Sequence, residues 1–188
     1  MIYPSLSIII VTRNSEKTLS KTLASIKKQL YPKEKIEVLV IDGRSTDKTS
    51  EIVKKFGYKV VDNPKIGFVP GKHLGFLIAK GKYAMYLDSD EEVENPDSLK
   101  HKIEAFLSNK RIKAVTGTGY KNPVSFPTIS HYLNEFGDPF SYFIYRSTMN
   151  YKFFLKELCR KYQLVGENKN FAVFDFSNVK ELPLLEFV

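Results

Sequence analysis

Three short, mainly apolar stretches, the first of them rich in β-branched residues, each run into a polar loop, and this recurrence restricts the fold more than any other feature of the sequence. Leu6 to Val11, with Ser7 its only polar member, Ile36 to Ile41, and Lys82 to Leu87 have the length and continuity of strands buried on both faces. Leu19, Leu23, Ile26 and Leu30 recur at helical spacing between the first two, with Asn14 or Ser15 as the expected cap and Tyr31-Pro32 as the stop. Ile52, Val53 and Phe56 mark a second helix that ends at Gly57. Alternation of strand and helix demands crossover connections, so the expected fold is α/β: a Rossmann-like, mostly parallel sheet flanked by helices.

The same reading places a third strand at Tyr58 to Val61 and a glycine-bearing loop at Lys65 to Gly71, ahead of a helix from Lys72 to Ala79. Asn95-Pro96 is expected to open a helix carrying Leu99, Ile103, Phe106 and Leu107, and Lys113 to Tyr120 to return as a strand. Beyond about residue 121 the chain turns aromatic and irregular. A soft boundary near Asn122-Pro123 divides one domain, residues 1–188, into a first half of about 1–121 and a second of about 122–188. The closing stretch Leu182 to Val188 is apolar and lacks a polar cap, so the native chain is expected to continue beyond it.

Composition excludes several classes. Twenty-nine Lys and Arg against twenty-one Asp and Glu give a net charge of +8, which favours phosphate-bearing partners, although pairs such as Lys27-Lys28 and Lys54-Lys55 read as solvated helix faces. No apolar run approaches the roughly 18 residues of a membrane span, and the N-terminus leads straight into a strand pattern, so a cytoplasmic location is expected. The single cysteine, Cys159, rules out an internal disulfide framework and a cysteine zinc cluster, and its thiol is read as packing. His73, His101 and His131 lack metal-ligand spacing, and neither a Walker loop nor a Gly-x-Gly-x-x-Gly fingerprint occurs. No RNA- or DNA-binding signature appears, so no nucleic-acid partner is expected.

In open parallel sheets ligands bind beyond the carboxyl ends of the strands. There the sequence sets Thr12-Arg13-Asn14, then Asp42 and its loop, then Asp88-Ser89-Asp90. Two carboxylates separated by one residue at a strand end can face the same space, where a hard cation, Mg²⁺ or Mn²⁺, would bridge them to a diphosphate. Alone, that pattern equally describes an acidic turn before a capped helix. Asp42 can accept hydrogen bonds from a base or a ribose, or serve only as a turn residue.

Taken together, Ser7-Ile8-Ile9-Ile10-Val11-Thr12-Arg13-Asn14, Val40-Ile41-Asp42-Gly43-Arg44-Ser45-Thr46-Asp47-Lys48-Thr49 and Tyr86-Leu87-Asp88-Ser89-Asp90 resemble the inverting family 2 glycosyltransferases. The resemblance covers about residues 5 to 120. It implies the nucleotide-diphospho-sugar transferase fold of the A type, a nucleoside diphosphate sugar as donor, with UDP expected first and GDP second, and inversion at the transferred carbon. It further implies that Thr12, Asn14 and Asp42 line the nucleotide pocket, that Asp88 lies near the ribose and diphosphate with Ser89 beside it, and that Asp88 and Asp90 carry the metal. Where the family has Ala-Arg-Asn-x-Gly, this chain has Gly71-Lys72-His73-Leu74-Gly75, so Lys72 meets the nucleotide as a point charge without arginine's fork.

An inverting transfer also needs a carboxylate to take the acceptor hydroxyl's proton. Glu167 in Gly166-Glu167-Asn168 partly echoes the family's segment, and Glu135 and Asp138 are alternatives. The aromatic cluster from Tyr132 to Phe154, with Lys121, Arg146, Lys152 and Lys156 nearby, is read either as core or as the place where a glycan or lipid-linked acceptor, and the cytoplasmic membrane face, are met. Competing readings are a nucleotidyltransferase, which would favour a glycine-rich basic loop after the first strand, and a non-catalytic nucleotide-binding module.

Overall fold

A computed structural model of the chain describes residues 3–65, 67–115, 122, 124–131, 156, 158–160, 162–167 and 170–175. Two units emerge, Met1–Leu107 and Ser108–Val188.

In the first unit the expected alternation is realised as β1 (Leu6–Thr12), α1 (Leu19–Lys27), β2 (Ile36–Asp42), α2 (Thr49–Lys55), β3 (Lys59–Asp62), α3 (Phe68–Ile78), β4 (Tyr83–Tyr86) and α4 (Ser98–Ser108). The strands form one sheet in the order β3-β2-β1-β4, and every pairing is parallel. Strand alternation sends Ile8 and Ile10 to one face, where they pack with Leu19, Leu23 and Ile26 of α1, Val53 of α2, and Leu99 and Ile103 of α4. Ile9 and Val11 point to the other face with Leu39 and Ile41, against Leu74 and Ile78 of α3. Each such fully buried aliphatic contributes about 1.5–3 kcal/mol relative to an exposed one. Ser7, the polar member of β1, is reconciled with burial because its hydroxyl donates to Glu37 and accepts from the Gly81 N–H.

Four local expectations are corrected. No side chain caps α1, which begins after Thr18 and stops at Lys27, so Leu30 lies past its end and is exposed. Helix α3 starts at Phe68, four residues before the expected Lys72. Pro70 falls in the first turn, where a missing N–H costs nothing. The strand from Lys82 is not buried on both faces: β4 has only β1 as a partner among the described residues, and Tyr86 is exposed. Pro96 does not open α4, which begins at Ser98.

In the second unit residues 113–115 form no strand, and the rest of the stretch expected to do so lies outside the described residues. Antiparallel β5 (Gln163–Glu167) and β6 (Ala172–Asp175) pair with a register shift between Leu164 and Gly166. Cys159 is exposed, contrary to its reading as a packing residue. Among the described residues no helix is long and apolar enough to cross a membrane.

Candidate active site

The parallel register aligns Thr12 with Asp42 and Asp42 with Asp62, so the carboxyl ends of β1, β2 and β3 form one row. Asp42 is buried in it. Its carboxylate accepts from the Ser45 hydroxyl at 2.5 Å, from the Ser45 N–H at 3.3 Å to each oxygen, and from the Ser50 hydroxyl at 3.2 Å. Its backbone carbonyl accepts from the Asn63 N–H at 2.9 Å.

Two polar atoms in this row have no partner: Thr12 Oγ1 and Asn63 Oδ1 are both buried and unsatisfied. Leaving such an atom unpaired costs about 1–3 kcal/mol, and native structures seldom tolerate it without a ligand or water in view. The Asn63 side-chain nitrogen is fixed, donating to the Gly67 carbonyl at 3.1 Å. Beneath them α3 lies close to the sheet. A Cβ on Gly71 would come within 2.7 Å of Val11 and 3.0 Å of the Asn63 amide, and one on Gly75 within 2.3 Å of Ile9. Only bare backbone fits there.

The loops after β1 and β2 are stitched together. Asn14, at φ 52°, and Arg44, at φ 61°, both adopt the left-handed conformation. The Asn14 side-chain oxygen accepts from the Thr46 N–H at 2.8 Å, the Asn14 N–H donates to the Ser45 hydroxyl at 2.8 Å, and the Ser15 N–H donates to the Thr49 hydroxyl at 2.8 Å. The Asn14 side-chain oxygen is thus taken by Thr46, and the Ser15 hydroxyl meets the Arg13 carbonyl and the Ser89 hydroxyl, so neither caps α1. Asp47 accepts from the Glu16 N–H and from both the N–H and the hydroxyl of Thr49. Desolvation pushes this carboxyl up, but the Thr49 and Glu16 hydrogen bonds outweigh it and hold Asp47 below the ordinary aspartate range.

The third cluster follows β4. Asp88 forms an ion pair with Lys72, Nζ to Oδ1 at 3.4 Å, and its N–H donates to Glu91 at 3.0 Å. The Lys72 ammonium also lies 4.8 Å from the Phe68 ring centre and 5.7 Å from that of Tyr86, in cation–π range. Ser89 faces inward, its hydroxyl 3.0 Å from that of Ser15. Asp90 is exposed. No group of three or more His, Cys, Asp or Glu that could hold a metal occurs among the described residues. Asp88 and Asp90, separated by one residue, each carry hard carboxylate oxygens. That set fits a cation of the Mg²⁺ or Mn²⁺ kind, which keeps several waters and completes its shell with phosphate oxygens.

The first unit therefore brings together Thr12, Asn14, Asp42, Lys72, Asp88, Ser89 and Asp90 at one edge of the sheet. Glu135 and Asp138 lie outside the described residues, as does the Tyr132–Phe154 cluster, while Glu167 is exposed at the end of β5 in the second unit. Sequence reasoning missed Ser45 and Ser50, which hold Asp42, and the buried Asn63. The signal for Asn63 was available: a polar residue directly past a short strand, next to Asp62, which the register sets level with Asp42.

The model of the glycosyl transferase family 2 matches residues 7–182. The poly(ribitol-phosphate) beta-N-acetylglucosaminyltransferase TarS of Staphylococcus aureus is 34% identical over 128 residues, covering 60% of this chain and 22% of the relative. A Methanococcus voltae dolichyl N-acetyl-alpha-D-glucosaminyl phosphate 3-beta-D-2,3-diacetamido-2,3-dideoxy-beta-D-glucuronosyltransferase is 36% identical over 113 residues, covering 56% of this chain and 35% of its own. The chain thus spans about a fifth to a third of the length of these curated relatives. The crystal structure of S. aureus TarS residues 1–349 in complex with UDP-GlcNAc superposes with a TM-score of 0.53 at 27% identity, over 63% of this chain and 38% of that one.

Proposed function

This chain belongs to glycosyl transferase family 2, and on that premise we propose that it moves a sugar from a nucleoside diphosphate sugar, UDP-linked in the first instance and GDP-linked in the second, to a hydroxyl of a glycan or lipid-linked acceptor. The observation that carries the reading is the convergence of a buried acid with orphaned polar atoms on one side of the sheet edge and an exposed Asp-x-Asp loop on the other. A similar protein of known structure holds UDP-GlcNAc.

The residues divide the task. Asp42, immobilised by Ser45 and Ser50, presents its remaining lone pairs to base or ribose, with the Thr12 hydroxyl and the Asn63 carbonyl oxygen beside it. Lys72 places a positive charge next to Asp88 where a diphosphate would run. Asp90 and Asp88 would hold Mg²⁺ or Mn²⁺, which when bound offsets the negative charge of the departing nucleoside diphosphate. Inversion requires a separate carboxylate to accept the acceptor's proton, and Glu135, Asp138 and Glu167 are proposed for that role.

The test is calorimetric titration of UDP and GDP, with and without Mn²⁺, into the wild-type chain and Asp90→Ala. Metal-dependent binding by the wild type and its loss in the variant are expected. If neither nucleotide binds with metal present, the proposal is wrong.

A further inference from the structure

Helix α1 carries a polar stripe inside an otherwise apolar contact. Thr22 and Ser25, three residues apart, share one side of the helix axis, Gln29 follows two residues past the helix end, and all three are buried. Their side chains reach the backbone of the segment that contains and follows the Asp-x-Asp loop. The Thr22 hydroxyl donates to the Ser89 carbonyl at 3.1 Å. The Ser25 hydroxyl accepts from the Val93 N–H at 3.0 Å. The Gln29 amide donates to the carbonyls of Val93 and Asn95, both at 3.0 Å, and its oxygen accepts from the Leu99 N–H at 3.3 Å. One further bond, from the Leu30 N–H to the Pro96 carbonyl at 2.8 Å, closes the series.

We propose that this stripe is a positioning device for the metal loop, with Thr22 its working end: it fixes the peptide of Ser89, the residue between Asp88 and Asp90, and so sets the affinity of those carboxylates for a divalent cation. The inference rests on the donor-site reading above. The physical reason is that Asp90 has an exposed side chain on a loop without regular structure, and its direction is determined by the peptide immediately before it. That peptide is held from two sides, through its carbonyl by Thr22 and through the side chain of Ser89 by Ser15. Fixing ligands by the groups behind them is how proteins preorganise metal sites, and loss of such a group costs about tenfold or more in metal affinity. Apolar residues in their place would leave the Ser89, Val93 and Asn95 carbonyls and the Val93 and Leu99 N–H groups without these partners, so the stripe fixes the course of this backbone as well as adding stability.

The experiment uses the full chain and reads Mn²⁺ binding in the presence of UDP, by the electron paramagnetic resonance signal of free Mn²⁺, alongside UDP binding without metal. Thr22→Val keeps the shape and removes the hydroxyl. It is expected to weaken Mn²⁺ binding about tenfold while metal-free UDP binding stays at the wild-type value, and Thr22→Ser is expected to restore the metal affinity. Ser25→Ala, which removes the acceptor for Val93, is a second variant with the same expected direction. Wild-type Mn²⁺ affinity in Thr22→Val, whatever its melting temperature, overturns the proposal, and so does an equal loss of UDP binding with and without metal. Failure of the wild type to bind Mn²⁺ with UDP would instead overturn the donor-site reading beneath it.

Discussion

Asp42 ends β2 and Asp90 lies in the loop that follows β4, on the same edge of the sheet, yet they are opposite kinds of acid. Asp42 is buried and met by two serine hydroxyls and a backbone N–H. Asp90 is open to solvent. A carboxylate with its lone pairs largely engaged is a fixed part of the wall, able to orient a ligand at a low entropic cost. A carboxylate left free is available to a cation but contributes little to folding. The contrast extends to the loops: the one after β2 is tied to the loop after β1 through Asn14, Ser15 and Glu16, whereas the acidic loop is anchored through Ser89 and the segment behind it.

The largest effect that would break this contrast is on stability. Asp42→Ala removes a buried carboxylate and leaves the half-buried Ser45 and Ser50 donors without their acceptor, and should cost about 1–3 kcal/mol in urea unfolding, whereas Asp90→Ala should stay within about 0.5 kcal/mol of wild type. Equal losses would mean that the two acids are not divided between wall and ligand.

A smaller effect concerns acid. Asp47 belongs to the closed loop, and its folded pKa is depressed, so its contribution is present above the unfolded value, near 3.8, and is lost as pH falls through the folded value. Asp47→Asn should therefore flatten the acid limb of a melting-temperature profile below about pH 4. The smallest effect is a gain. Arg44 adopts φ 61°, a conformation in which glycine avoids a penalty of about 1–2 kcal/mol, so Arg44→Gly should raise the free energy of urea unfolding by up to about 1 kcal/mol, net of glycine's greater unfolded freedom.

Much of this was legible before any coordinates. β1 and β2 are nearly continuous apolar runs, which admit few alternatives to a doubly covered strand, and their ends fix where Thr12 and Asp42 must stand. The start of α3 was hidden because Phe68-Val69-Pro70-Gly71 contains the two residues that most often signal a loop. Here the proline uses the one helical turn that tolerates it, and Gly71 answers a packing demand from Val11 that local sequence does not display. The cap of α1 was misplaced because Asn14 and Ser15 have the right chemistry for capping, but the Asn14 side chain is engaged by Thr46 and the Ser15 hydroxyl by Ser89, both distant in sequence. Gln29 was invisible for the opposite reason: a glutamine near a helix end reads as surface. The available clue was its company, since Thr22 and Ser25 sit between Leu19, Leu23 and Ile26 rather than opposite them.

The glycine pair beneath Lys72 has a consequence for how this site can vary. With bare backbone at Gly71 and Gly75 touching Val11 and Ile9, the helix is pressed to its lowest height above the sheet, like a gauge resting on its stop. The cation it carries is levelled by that contact and not by its own flexible stem. A change of side chain at 72 therefore alters reach alone, lengthwise toward Asp88, while a single methyl group at 75 would lift the whole helix and move the charge away from the acidic loop without touching it.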